Sequence, residues 1–103
     1  MTAYLIANIT VTDAKAYAEY RAQVEPTFEK YGGRFLVRGG AVHPLEGDIG
    51  FDRCVIIEFP SMDTARRWYD SPEYAPLLKL RAQSSKSRVA LVEGYPGAIR
   101  TSR

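Results

Sequence analysis

Two periodicities take turns along the chain. From Tyr4 to Val11, β-branched and aromatic residues run without glycine or proline until the polar stop Thr12-Asp13, the pattern of a strand. Thr12 or Asp13 suits the cap of a following helix, because a short side-chain oxygen can accept from the orphan amides of a first turn. Between Ala14 and Tyr31 the positions Tyr17, Tyr20, Val24, Phe28 and Tyr31 recur at steps of three and four, one face of a helix. Pro26 falls inside that run and predicts a kink or a restart, with proline in a first turn. Gly32-Gly33 should end the helix, since glycine adopts a left-handed cap at little cost.

Arg34 to Arg38 reads as a short second strand closed by Gly39-Gly40, and residues 41–51, with Pro44, Gly47 and Gly50, as a loop. Asp52 to Phe59 is the third and most apolar strand. Pro60 stops it, and Ser61 is placed to cap a helix over Met62 to Asp70. Ser71-Pro72-Glu73 predicts a second cap with proline at the first helical position. The helix it opens carries Tyr74, Leu77, Leu78 and Arg81 on one face, Ser84 to Ser87 breaks it, and Arg88 to Tyr95 is the last strand. The order β-α-β-β-α-β, its second helix split in two, predicts an α+β, ferredoxin-like domain. Its four-stranded antiparallel sheet carries the helices on one face, with the first and third strands central and parallel to each other. One domain is expected over residues 1–97, with a flexible basic tail over 98–103.

Residues two apart in a strand share a face. One set, Leu5, Ala7, Ile9, Phe35, Val37, Val55, Ile57, Phe59, Ala90 and Val92, is wholly apolar and should meet the helices. The opposite set holds Tyr4, Ile6, Asn8, Arg34, Leu36, Arg38, Cys54, Ile56, Glu58, Val89, Leu91 and Glu93. Its middle is apolar too. Burying Ile6, Leu36, Ile56 and Leu91 from both copies of a two-fold dimer would contribute roughly 12–24 kcal/mol, against an association cost of about 4–15 kcal/mol. A face-to-face homodimer follows. If the second and third strands pair with Arg38 near Cys54, Arg34 comes opposite Glu58. The polar members of this face are then either a structural salt-bridge network or the mouth of a ligand site lined by Arg38 and Glu58.

Composition narrows the chemistry more than it names it. With 46% apolar and 25% charged residues, the chain is ordinary globular protein, and a net charge of +2 is no electrostatic footprint for nucleic acid or anionic membrane. The single cysteine, Cys54, forms no internal disulfide and fits a reducing, cytoplasmic setting. No apolar run reaches the roughly 18 residues of a membrane helix, and no basic targeting segment precedes the first strand. One histidine, His43, supplies neither a metal cluster nor a serine–histidine relay, so no metal or cofactor is expected. The paired glycines lack the further glycines of a phosphate cradle. The third strand, DRCVIIEF, lacks the glycine–aromatic motif of RNA-recognition sheets.

The run FPSMDTARRWYDSPEYAPLLKLR, with KYGGRFLVRGG and the closing LVEG, resembles the family known as domain of unknown function 1330, within the dimeric α/β-barrel superfamily. The likeness spans nearly the whole chain. It implies a ferredoxin-like protomer and a homodimer whose sheets form a barrel, and it implies no particular reaction. The superfamily includes cofactor-independent oxygenases that use aromatic residues, asparagine and arginine near a pocket between sheet and helices, and isomerases. By fold analogy alone, Trp68 and Tyr74 offer a similar aromatic pair, while Thr64 stands one turn before Trp68 where asparagine would bring the likeness closer.

Seven tyrosines and one tryptophan give the helices a large aromatic supply. Arg81 is the anomaly, a cation on the Tyr74–Leu77–Leu78 stripe where a core helix takes an apolar residue. The residues therefore point to a pocket for a small, partly apolar or anionic organic molecule. Trp68, Tyr74, Arg81, Tyr20 and Asn8 are its candidate ligand-binding residues. In a cofactor-independent enzyme Glu58 would be the general base and Arg38 a catalytic cation steadying an oxyanion. The alternative is a non-catalytic small-molecule-binding or stress-associated dimer using the same pocket.

Overall fold

The computed structural model describes residues 2–95. Its elements are β1 (Ala3–Val11), α1 (Ala14–Glu29), β2 (Arg34–Gly40), β3 (Arg53–Phe59), α2 (Met62–Tyr69), α3 (Ala75–Ser84) and β4 (Ser85–Glu93). Local chemistry sets most boundaries. Asp13 caps α1, its carboxylate accepting from the Ala16 amide at 3.1 Å. The helix closes where Gly33 N–H donates to the Phe28 carbonyl at 2.9 Å and Gly32 N–H to that of Glu29 at 3.0 Å. Gly32, at φ 79°, supplies the left-handed residue this closure requires. Ser61 and Thr64 form a reciprocal capping box at the start of α2.

Two helical details depart from expectation. α1 runs through Pro26 without a restart. Proline removes one backbone bond, but the buried stripe Tyr17, Tyr20, Val24 and Phe28 continues across it and holds the last turn in place. Ser71 caps a turn rather than the helix itself: its side chain and carbonyl both accept from the Tyr74 amide, and α3 begins only at Ala75. At its other end α3 reaches Ser84 and β4 follows directly, three residues ahead of the expected strand start at Arg88.

The sheet order is β2-β3-β1-β4, and each neighbouring pair is antiparallel. β1 and β3 are central as expected but run antiparallel, not parallel. The α1 crossover returns the chain so that β2 runs in the direction of β1, and the loop after β2 then reverses β3. The fold is ferredoxin-like, with helices on one face.

Two registers correct the expected division of the faces. β4 pairs Leu91 with Leu5 and Val89 with Ala7, so Val89 and Leu91 lie under the helices while Ala90 and Val92 face out. From Val89 to Val92 both parities are apolar, and charge flanks both, Arg88 on one and Glu93 on the other. Alternation therefore carried no clean signal and pairing to β1 decided the matter. β2 shifts register between Phe35 and Val37 and again between Arg38 and Gly40. Val37 is thereby opposite Ile56 on the open face, and Arg38 opposite Val55 on the helix side.

The core lies between sheet and helices, around Phe28, Phe59, Trp68 and Tyr74, each at most 2% exposed. Trp68 donates its indole N–H to Thr27 Oγ1 at 3.0 Å, and Thr27 in turn donates to the Val24 carbonyl at 2.6 Å. A buried indole needs such a partner. This one locks α2 to α1.

Candidate functional site: an arginine-lined cavity under the helices

β1 is floor to a cavity roofed by Tyr17, Tyr20 and Val24 of α1 and ended by Trp68 and Tyr74. Its volume is about 30 Å³, room for a water or two. Its charged lining is of one sign. Arg21, Arg38, Arg53 and Arg81 all face it, and no aspartate or glutamate does among the described residues.

Arg81 forms the deep end and is only 6% exposed. Its Nε–H donates to Tyr74 Oη at 3.2 Å, and Nη1 to Ser87 Oγ. The Tyr20 and Tyr74 hydroxyls lie 3.0 Å apart. Ser85 Oγ–H donates to the Arg81 carbonyl at 2.7 Å, fixing the last turn that carries this side chain. Burial, with the adjoining Tyr74 phenol, pushes the Tyr20 hydroxyl far above the ordinary tyrosine range, so it stays a neutral donor. Burial works against the charge on Arg81, but the phenol oxygens of Tyr74, Tyr20 and Tyr69 outweigh it and the guanidinium is held more firmly charged than usual. Among the described residues no carboxylate forms an ion pair with it.

The mouth is built by α1, β2 and β3. Arg38 lies over the Phe35 ring at 4.9 Å and donates to the Arg21 carbonyl at 3.5 Å, with Glu25 at 3.8 Å. Arg53 lies over the Tyr17 ring at 5.4 Å. Gly39 makes room for it: a Cβ there would come within 2.8 Å of Arg53 Nη1, and φ of 74° also favours glycine. Burial raises the Tyr17 hydroxyl above its usual range, opposed by Arg53, Arg21 and Arg81.

Of the residues expected at a site, Trp68, Tyr74, Arg81, Tyr20 and Arg38 meet at this cavity. Arg38 arrives from the opposite side to the one alternation assigned it, carried round by the β2 bulge. Glu58 and Asn8 are not brought there. Glu58 stands on the open face, its Oε1 2.8 Å from Arg34 Nε, and Asn8 lies on that face between Cys54 and Arg88. The Thr64 hydroxyl is engaged with Ser61 in the capping box, so it offers nothing to the cavity. Sequence reading missed Tyr17, Arg21 and Arg53 as site residues. Arg53 had a usable signal, since it shares strand parity with Val55 and Ile57. Among the described residues no group of three or more His, Cys, Asp or Glu could hold a metal ion, and no helix is long and apolar enough to cross a membrane.

Comparison with known proteins bears on the fold more than on the site. The sequence model of the family described as Domain of unknown function (DUF1330) matches residues 2–95. RPA0582, a protein of unknown function from Rhodopseudomonas palustris, is similar at a TM-score of 0.75 and 24% identity, over 91% of this chain and 82% of that one. A dimeric ferredoxin-like protein of unknown function from Jannaschia sp. CCS1 is similar at 0.72 and 12% identity, over 91% and 100%. SnoaB, a cofactor-independent oxygenase from Streptomyces nogalater, is similar at 0.61 and 16% identity, over 91% and 93%. At such identities the likeness shows the fold. No curated protein matches the chain.

Proposed function

The chain belongs to the DUF1330 family, and on that premise we propose that its cavity binds a small, partly apolar organic anion, in a homodimer closed over the open face of the sheet. One observation carries the reading: Arg81 is buried and charged, and phenols and a serine surround it where a carboxylate would ordinarily sit. A buried cation without a counter-ion is costly unless another group completes it. An anion entering the cavity is that group, oriented by the Tyr20 and Tyr74 hydroxyls and flanked by apolar walls. The cavity of about 30 Å³ must enlarge to admit it. Arg38 and Arg53 at the mouth rest on aromatic rings rather than in short ion pairs, so they are the side chains to yield.

The dimer reading rests on the open face. Val37, Ile56, Ile6 and Ala90 form an apolar row across all four strands, and Leu36 and Val92 beside it are 47% and 45% exposed. The likeness to a dimeric ferredoxin-like protein supports the same arrangement. A cytoplasmic location fits the single cysteine.

Catalysis without a cofactor is the second reading, favoured by the chain Tyr20–Tyr74–Arg81. It presents a polarised phenol beside a fixed cation, which suits stabilising an enolate or phenolate. The likeness to SnoaB is in fold alone. The test is a thermal-shift screen of organic carboxylates and phenols on the purified protein. An anion at 100 times its Kd should stabilise by about 2.7 kcal/mol, and Arg81→Gln should abolish the shift. A ligand that stabilises both forms equally sinks the reading. Once a ligand is known, loss of turnover with retained binding in Tyr74→Phe selects the enzyme.

A further inference from the structure

The cavity has cations at two ends, and they are separated across the sheet. Arg81 reaches the Ser87 hydroxyl at the β4 side, while Arg53 lies at the β3 side with Arg38 and Arg21 beside it. Both Arg53 and Ser87 pair with Ile9 of β1, so they stand at the same level of the sheet. Two strand spacings, roughly 9–10 Å, separate their backbones. Between them the floor is Ile9, Ala7, Val55 and Val89, with the Tyr17 ring overhead. Arg53 and Arg21, like Arg81, have no carboxylate ion pair among the described residues.

We infer that the ligand is a dianion: two anionic groups joined by a ring or a short apolar chain. One group sits on Arg81, Tyr74 and Tyr20, and the other on the Arg53 end of the mouth. This rests on the proposed binding function of the cavity and adds its specificity. A monoanion would complete Arg81 and leave Arg53 and Arg21 without a carboxylate partner, Arg38 already having Glu25 at 3.8 Å. The two ends also differ in exposure, since Arg81 is buried, whereas Arg53 is half-buried and Arg21 and Arg38 beside it are exposed. Salt should therefore weaken the second contact and spare the first.

Terephthalate and its monomethyl ester test the inference by titration calorimetry on the intact protein. The ester keeps the ring and one carboxylate. Terephthalate should bind at least about tenfold more tightly, the worth of one charge-assisted hydrogen bond, and this ratio should shrink at high salt. Arg53→Gln should bring the ratio close to one, Arg53→Lys should keep most of it, and the surface change Arg67→Gln should leave it alone. If the ester binds in an Arg81-dependent way and terephthalate binds no better, the inference is overturned while the anion site stands. If neither binds in an Arg81-dependent way, the anion site falls and the dianion with it. An Arg53→Gln variant that preserves the ratio also overturns the inference.

Discussion

The two faces of the sheet handle arginine in opposite ways. On the open face Arg34 meets Glu58 at 2.8 Å, with side chains 69% and 14% exposed. Under the helices Arg81 is 6% exposed and bonded to neutral hydroxyls. The first arrangement is complete within one chain and, with the Arg34 side chain largely solvated, contributes little, on the order of 0–1 kcal/mol. The second is a desolvated charge with no carboxylate ion pair among the described residues. Stability alone would not retain it, because a well-packed apolar residue usually serves a buried site as well or better. On the proposed reading, the difference separates a charge paired across two strands from a charge that an anionic ligand would complete.

The largest effect should come from breaking the open face. Leu36→Asp combined with Val92→Asp sets four carboxylates into the proposed two-fold interface and should convert the dimer wholly to monomer, each buried charge costing several kcal/mol. Light scattering at micromolar concentration reads the mass directly. An unchanged dimer mass would move the interface elsewhere, and a monomeric parent protein would end the dimer reading. Next comes the other face. Arg81→Met removes the charge at similar volume and should weaken organic-anion binding at least about 100-fold, or roughly 2.7 kcal/mol. Its unfolding free energy should be unchanged or raised by up to about 2 kcal/mol. A protein that unfolds readily yet binds normally would make Arg81 structural and erase the contrast.

The contrast was partly legible before any coordinates. The element order and the split helix followed from periodicity and capping residues such as Ser61, whose chemistry acts locally. Arg81 stood out because it interrupts an apolar stripe at helical spacing. The face assignments failed where long-range pairing decides. In β4 the apolar run Val89 to Val92 fills both parities and charge flanks each, Arg88 on that of Ala90 and Val92 and Glu93 on that of Val89 and Leu91. The local pattern does not separate the two pairs. In β2 the bulge turns Arg38 over without disturbing the residue pattern RFLVRGG. Arg34 does stand opposite Glu58, but not through a register that sets Arg38 near Cys54. Arg38 lies opposite Val55 and Gly40 opposite Cys54, and Glu58 is away from the cavity. Of the missed residues, Arg53 shares the helix-side parity of Val55 and Ile57, whereas Arg21 lines the cavity only because helix and strand converge on Tyr17.

A pH experiment sharpens the buried side by a smaller margin. The Tyr20 hydroxyl titrates far above its unfolded value of 10.0, chiefly through burial. Its contribution to stability is therefore fully present below about pH 10 and declines above it, where the unfolded phenol ionises and the folded one does not. The slope for one such group is at most about 1.4 kcal/mol per pH unit. Tyr17, also raised by burial, adds a second contribution of the same sign. Urea unfolding at about pH 8 and about pH 11 should show the parent protein losing stability, and Tyr20→Phe losing measurably less. Equal losses would mean that the Tyr20 hydroxyl is not held neutral by the fold.

Glu58→Gln should have the smallest effect and is the most direct challenge to the comparison. Glutamine keeps the volume and removes the charge, leaving an Arg34 that is 69% exposed and readily solvated. The expected loss of stability is below about 1 kcal/mol. Affinity for an anion in the cavity should not change, because the sheet itself lies between Glu58 and Arg81. A general base is different: it must come within hydrogen-bond reach of the proton it takes, and from the open face Glu58 has no such reach into the cavity. Calorimetric titration of the variant settles which description holds. A tenfold loss of affinity would mean that the two faces act as one site, and the division between the paired and the unpaired arginine would no longer describe this protein.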